Sequence, residues 1–354
     1  MPQASGLTTS RTASPRDVLL GARAATGVLP VCDHYCGVEA RMRKSLQLQR
    51  EMMREFGACV FDVTLDCEDG APVGGELAHA QLVVALARQA HADAAREVPA
   101  MAPRVAVRVH PVDHPAFEQD VAALLGQAAP LFCHVMIPKV ESVADVARAV
   151  SAVDAACQAA GRATPMPLQV LIESPAAVHQ AFAIAAHPRV QSLSFGLMDF
   201  VSAHGGAIPD DAMGAQGQFS HPLVLRAKLE IASACHAYGK VPAHCVVTEF
   251  NDAQAMQIAA GRAARELGYT RMWSIHPSQI RPILAAMAPS NETVARAAEL
   301  VLLAQQADWA PISFEGRLHD RASYRYFWQV LERAHQTGRA LPPAAQAWFS
   351  PAVH

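Results

Sequence analysis

Short apolar runs alternate along this chain with longer stretches whose apolar positions recur every three or four residues. The short runs predict strands over 28–32, 58–65, 104–110, 131–137, 168–172, 190–195, 241–247 and 271–275. Between them, helical spacing predicts a helix over Glu39–Phe56, with Met42, Leu46, Met53 and Phe56 inward and a stop at Gly57. Further helices are predicted over 76–91, from a Ser142 cap to 150, from Pro175 onward, over 223–238 and over 252–267. Strand and helix alternate eight times at spacings that suit parallel βα units, which favours a (β/α)8 TIM barrel over an open doubly wound sheet. No GxGxxG follows any strand, which argues against a dinucleotide site.

The strand ends carry the candidate chemistry. The fifth strand ends in Glu173, and the sixth ends in Gly196 followed by Asp199. In a parallel barrel these ends share one face, where chemistry is done. Two hard oxygen ligands there, with room for water and substrate, suit Mg²⁺. An acid after a strand also commonly caps the next helix, so neither carboxylate is diagnostic alone. The second strand runs into DCEDGAP, which gathers Asp66, Glu68 and Asp69; a cation or donors would balance them, and a solvated loop is the plain alternative. Arg108 breaks the alternation of the third strand, and its guanidinium is expected to face an anion, with an outward-facing surface arginine as the plain alternative.

Composition narrows the class. With 51% hydrophobic and 17% charged residues in 354, a sizeable core is expected. A net charge of −3 with no basic patch argues against nucleic acid, and no apolar run approaches a membrane span. The 8 cysteines are scattered without paired zinc spacing, which suits reduced thiols in a cytoplasmic protein. Cys32, His34 and Cys36 offer a rival zinc set that lacks an identifiable fourth ligand. Residues 1–27 read as a flexible arm with a faint transit-peptide composition, residues 28–288 as the barrel, and 289–354 as a helical extension serving as lid or inter-subunit arm. That extension holds a helix over 290–307 and an aromatic-rich helix whose packing face is expected to include Tyr324, Tyr326, Phe327 and Trp328.

Seven segments in order, LDCEDGAP, VRVH, IPKVES, LIESPAAV, FGLMDF, IHPSQI and EGRLHD, resemble the HpcH/HpaI aldolase and citrate lyase β-subunit family, which includes the malyl-CoA lyases. The resemblance spans roughly 58–334. It implies a trimeric or hexameric (β/α)8 barrel that uses Mg²⁺ to make or break a C–C bond beside a carbonyl, through an enolate. It implies Glu173 and Asp199 as metal ligands and Arg108 as the holder of substrate carboxylate or oxyanion. Glu68 and Asp69 would hydrogen-bond metal waters and place the base chemistry, and Lys139 would lie near them. Gly196 and Pro277, at strand ends, are further expected substrate contacts. Asp320 would be the acid or base delivered from a neighbouring subunit.

Two segments depart from the family pattern. The first strand reads GVLPVCDHYCG where members that use CoA thioesters end in a Phe-Val-Pro-Gly type, so Asp33, His34 and Tyr35 are additions. AHCVVTEF lacks the usual Ile-Asp. The leading expectation is a Mg²⁺-dependent lyase of a β-hydroxyacyl-CoA thioester of malyl or citryl type. An aldolase of free 4-hydroxy-2-keto acids giving pyruvate, and a non-catalytic barrel subunit or ligand-binding protein, stay open beside it. His204 and His276 are candidates to support the active face.

Overall fold

The computed structural model describes residues 14–21 and 28–349, and the structural statements below concern those residues. Of the expected N-terminal arm, residues 1–13 and 22–27 lie outside them; Pro15–Leu20 form helix α1, capped by Ser14. The chain then alternates β1 (Cys32–Cys36), α2 (Glu39–Phe56), β2 (Phe61–Asp66), α3 (Glu76–Glu97), β3 (Val105–Arg108), α4 (Phe117–Ala128), β4 (Phe132–Ile137) and α5 (Val143–Ala159). It continues through β5 (Leu168–Ile172), α6 (Pro175–Ala186), β6 (Val190–Phe195), α7 (Leu197–Ser202), α8 (Pro222–Ala237), β7 (Val241–His244), α9 (Ala253–Glu266), β8 (Arg271–Ser274) and α10 (Ile280–Met287). Strands β1 to β8 pair in order, all parallel, and β8 closes on β1. This is the (β/α)8 barrel that the alternation predicts.

Local chemistry accounts for the helix ends. Ser142 and Asp145 form a capping box at the start of α5, which satisfies two otherwise orphaned N–H groups. Ser174 caps α6, whose first residue is Pro175. Asp252 caps α9. Both α3 and α5 run past their expected ends at 91 and 150, because Ala-rich turns continue to bury Ala94 in one and Val153 and Cys157 in the other. Helix α4 was not foreseen; it buries Phe117, Val121, Leu124 and Leu125.

The first strand needs a correction. Expected over 28–32, it runs instead through CDHYC, Cys32–Cys36, all buried. Its polar letters hid it. Alternate residues face opposite sides of a strand, and here Asp33 and Tyr35 face the barrel interior. His34 faces α2, where its ring nitrogens meet Ser274 Oγ at 2.9 Å and Ser45 Oγ at 2.8 Å. With both nitrogens engaged, His34 is a strut between strand and helix, which leaves the zinc set without its imidazole.

The barrel interior carries two kinds of layer. Tyr35, Met136, Leu171, Ala243 and Trp273 form an apolar plug of their own. Toward the N-terminal ends of the strands lies an ion-pair layer in which Asp33, Asp62 and Arg271 are buried and Arg104 is partly exposed. Arg271 reaches Asp33 at 2.7 Å and Asp62 at 2.6 Å, and Arg104 reaches Asp62 at 2.5 Å. Burial works to raise Asp62, but Arg104 and then Arg271 hold it below the ordinary carboxylate range. Burial, reinforced by Asp62, raises Asp33.

Contacts divide the described chain into two compact units. The barrel unit spans Leu29–Ala288. The other combines α1 with most of the C-terminal segment: α11 (Asn291–Gln306), a two-stranded hairpin of β9 (Ile312–Phe314) and β10 (Arg317–His319), α12 (Arg321–Gln336) and α13 (Pro343–Gln346). Its core joins Leu19 to Val301, Tyr324, Trp328 and Leu331. Tyr326 is 59% exposed and does not belong to the buried face of α12, because only positions spaced by four and three from Tyr324 point inward.

Candidate active site

Each carboxylate at the barrel mouth is placed by a strand end. Glu173 follows β5 and is buried. Gly196 follows β6 and keeps the sheet pairing through its N–H to Ile172 O at 3.0 Å. A Cβ on Gly196 would sit 2.5 Å from both Glu173 Cβ and Glu173 Oε2, so only glycine leaves room for that carboxylate. Asp199 sits in the first turn of α7. Burial first, then the charge of Asp199, pushes the Glu173 carboxyl up to about 8. Two carboxylates from adjacent strand ends, the charge of one acting on the other, with a glycine clearing space for Glu173, fit a divalent cation.

Lys139 draws the acidic set together. It holds a left-handed backbone at φ 50°, uncommon for a residue with a side chain. From there its N–H donates to Glu173 Oε1 at 2.5 Å. Its ammonium donates to Glu68 Oε1 and, at 3.0 Å, to Asp69 Oδ2. Burial opposes the charge on Lys139, yet Glu68 and Asp69 raise its pKa. Asp69 is lowered: partial burial works against this, but the hydrogen bond and charge of Lys139 outweigh it.

Arg108 faces protein anions. Its Nε donates to Asp66 Oδ1 at 2.7 Å and its Nη2 to Asp66 Oδ2, while Nη1 lies 3.1 Å from Glu68 Oε2. The sequence places Asp66 in an acid cluster that needs a cation or donors, and the structure supplies Arg108 as the donor, a pairing the sequence reading does not make. The signal was present in FDVTLD, where Asp62, Thr64 and Asp66 put a polar residue at every second position of an otherwise apolar strand. Pro277 opens a short turn after β8. Asp320 lies in the other unit, where its Oδ1 accepts from the N–H of Ala322 at 2.9 Å at the start of α12. His204 Nδ1 donates to Phe200 O, 2.6 Å away, and the His276 side chain caps the turn at Pro277. Both have local structural partners.

A second acidic grouping is a poor metal site. Asp62, Cys133 and His134 bring one ligand atom each within 4.8 Å of one another. Arg104 and Arg271 already occupy Asp62, and burial pushes the Cys133 thiol up. Two guanidiniums repel a cation, so the trio belongs to the structural ion-pair layer.

A barrel with this mouth has a recognisable class. The family model for HpcH/HpaI aldolase/citrate lyase matches residues 47–277. The chain belongs to that family and is a carbon–carbon lyase within it. A crystal structure of a citrate lyase from Burkholderia xenovorans LB400 is 47% identical, covers 96% of this chain and 100% of its own, and superposes with a TM-score of 0.75. The L-malyl-CoA/beta-methylmalyl-CoA lyase of Cereibacter sphaeroides is 32% identical over 244 residues, 65% of this chain and 76% of that protein. Protein CitE of Mycobacterium tuberculosis, solved with magnesium, acetoacetate and coenzyme A, shares the fold at 23% identity and a TM-score of 0.61, over 87% of this chain and 98% of its own. Among the described residues no helix is long and apolar enough to cross a membrane.

Proposed function

We propose that this protein is a Mg²⁺-dependent lyase that cleaves the C–C bond of a β-hydroxyacyl-CoA thioester of malyl or citryl type. The observation that carries this reading is the convergence of Glu173 and Asp199 beyond adjacent strands of a barrel in this family. Those two carboxylates would hold the ion. Mg²⁺ bound there would supply Lewis-acid stabilisation of negative charge developing on the substrate oxygens.

The chain's own residues supply the rest. Arg108, anchored by Asp66 and Glu68, keeps N–H groups beyond those two partners for the acid end of the substrate. Lys139 fixes Glu68, Asp69 and Glu173 at once, so the acidic set is preorganised. Cleavage transfers the bonding electron pair to the carbon beside the thioester carbonyl, which takes up a proton, while the β-hydroxyl loses its own and becomes a carbonyl. We assign the proton at carbon to Asp320 of a neighbouring copy in a homotrimer or homohexamer, with Gly196 and Pro277 as substrate contacts.

The test is release of acetyl-CoA from malyl-CoA and citryl-CoA, with Mg²⁺ and with EDTA. Metal-dependent release from either supports the reading. Failure with both, together with Mg²⁺-dependent cleavage of a free 4-hydroxy-2-keto acid, would replace it with the aldolase reading.

A further inference from the structure

A cavity of about 180 Å³ opens at the mouth beside β1 and β8, lined by Tyr35, Val38, Asp66, Arg108, Trp273 and Ile275 among others. That is room for roughly six waters at liquid density, or for a short acid, and far too little for a coenzyme. The Tyr35 and Trp273 rings stack with centroids 4.2 Å apart, and the Arg108 guanidinium carbon lies 5.5 Å from the Tyr35 centroid. Each ring is 6% exposed. Among the described residues, neither the Tyr35 hydroxyl nor Trp273 Nε1 has a hydrogen-bond partner.

Buried donors are nearly always satisfied, so two open ones in one wall call for an explanation. Asp66 is no answer. Its Oδ1 accepts from Arg108 and the Glu68 N–H at 2.9 Å, and its Oδ2 from Arg108 and the Gly70 N–H at 2.8 Å, which fills both oxygens. The cavity is therefore lined by the Arg108 guanidinium and by two residues, Tyr35 and Trp273, whose buried polar atoms lack a partner, while the Asp66 oxygens are taken. Val38, Ile275 and the ring faces give it apolar flanks. Its guest is anionic, rich in acceptors and short.

We propose that Tyr35 and Trp273 are substrate-binding residues that donate, beside Arg108, to the carboxylate of a short acid. The inference rests on the reading of the mouth as a hydroxy-acid site and adds the residues that grip the acid. It also gives a use to Tyr35, one of the additions that set the first strand apart from the family pattern.

The full chain in EDTA is titrated with pyruvate, and with pyruvamide as its neutral analogue, by calorimetry and by tryptophan emission. Trp273 is the tryptophan of the barrel unit; Trp309, Trp328 and Trp348 lie in the other. Pyruvate is expected to produce a saturable emission change that W273F lacks and pyruvamide does not give. Y35F is expected to weaken pyruvate about tenfold, as for a lost hydrogen bond to a charged group. Its thermal midpoint should stay level or rise, because the substitution deletes an unpartnered buried hydroxyl. Unchanged pyruvate affinity in Y35F, a lowered midpoint in Y35F, or no pyruvate binding to the wild type would each overturn the proposal. The metal and the thioester are absent from this experiment, so a failure of the lyase reading appears only in the cleavage assay.

Discussion

The same strands build two charged layers inside one barrel, and the layers differ in balance. Near the N-terminal ends, Asp33 and Asp62 meet Arg104 and Arg271, two carboxylates against two guanidiniums, with Asp33, Asp62 and Arg271 buried and Arg104 partly exposed. At the mouth, among the described residues, the ion pairs of Asp66, Glu68 and Asp69 are with Arg108 and Lys139, and Glu173 instead feels the charge of Asp199. The lower layer is closed on itself, as a buried ion network must be if it is not to cost the fold several kcal/mol. The upper layer is short of positive charge, and its excess appears in Glu173, whose carboxyl takes a proton where no cation is available. A balanced layer holds structure; an unbalanced one waits for a ligand.

Substitutions should separate the two layers. Asp199→Asn is expected to lower lyase activity by about a thousandfold or more, as for loss of metal-ion charge stabilisation, with the urea midpoint nearly unmoved. Arg271→Met should do the reverse. Removing one partner of a buried network leaves unpaired charge, and a stability loss of about 3–5 kcal/mol is expected in urea unfolding; a loss of activity at unchanged stability would break the distinction. Gly196→Ala pushes a methyl group against Glu173, and Mg²⁺ affinity measured by calorimetry should fall by roughly 10–100-fold, the range seen when the support of a ligand is disturbed.

Acid should act on the barrel's buried neutral histidines. Burial lowers His134 to about 3 from 6.5, and burial, then the charge of His276, lowers His34 to about 3. The unfolded chain therefore binds more protons than the folded one between those values, so stability present above pH 6.5 is lost as pH falls toward 3. Each histidine should remove about 1.4 kcal/mol per pH unit in that window, read from urea midpoints at successive pH values. A midpoint that is flat between pH 6.5 and 5 would contradict the neutral burial of these rings.

The barrel and most of its mouth were legible because the carboxylates and Arg108 lie at strand ends marked by glycine, proline and a switch of hydrophobic period. Besides helix α4, three things were not. Strand β1 was displaced because Asp33 and His34 read as loop letters, whereas a barrel interior with an arginine from β8 makes an inward aspartate acceptable. The partner of Asp66 is hidden because only the pairing of β2 with β3 brings it beside Arg108. The role of Lys139 as a clamp depends on a left-handed backbone, which no spacing rule announces at a lysine.

The most direct test is calorimetric titration of the metal-free chain with Mg²⁺ from pH 6.5 to 8.5, beside Asp199→Asn. The account predicts saturable binding that strengthens with pH up to about 8 and releases a proton below it, because the ion displaces the proton held by Glu173. It predicts that Asp199→Asn abolishes the titration. Absence of binding in the wild type, or equal binding in Asp199→Asn, would contradict the claim that the mouth of this barrel is completed by a cation.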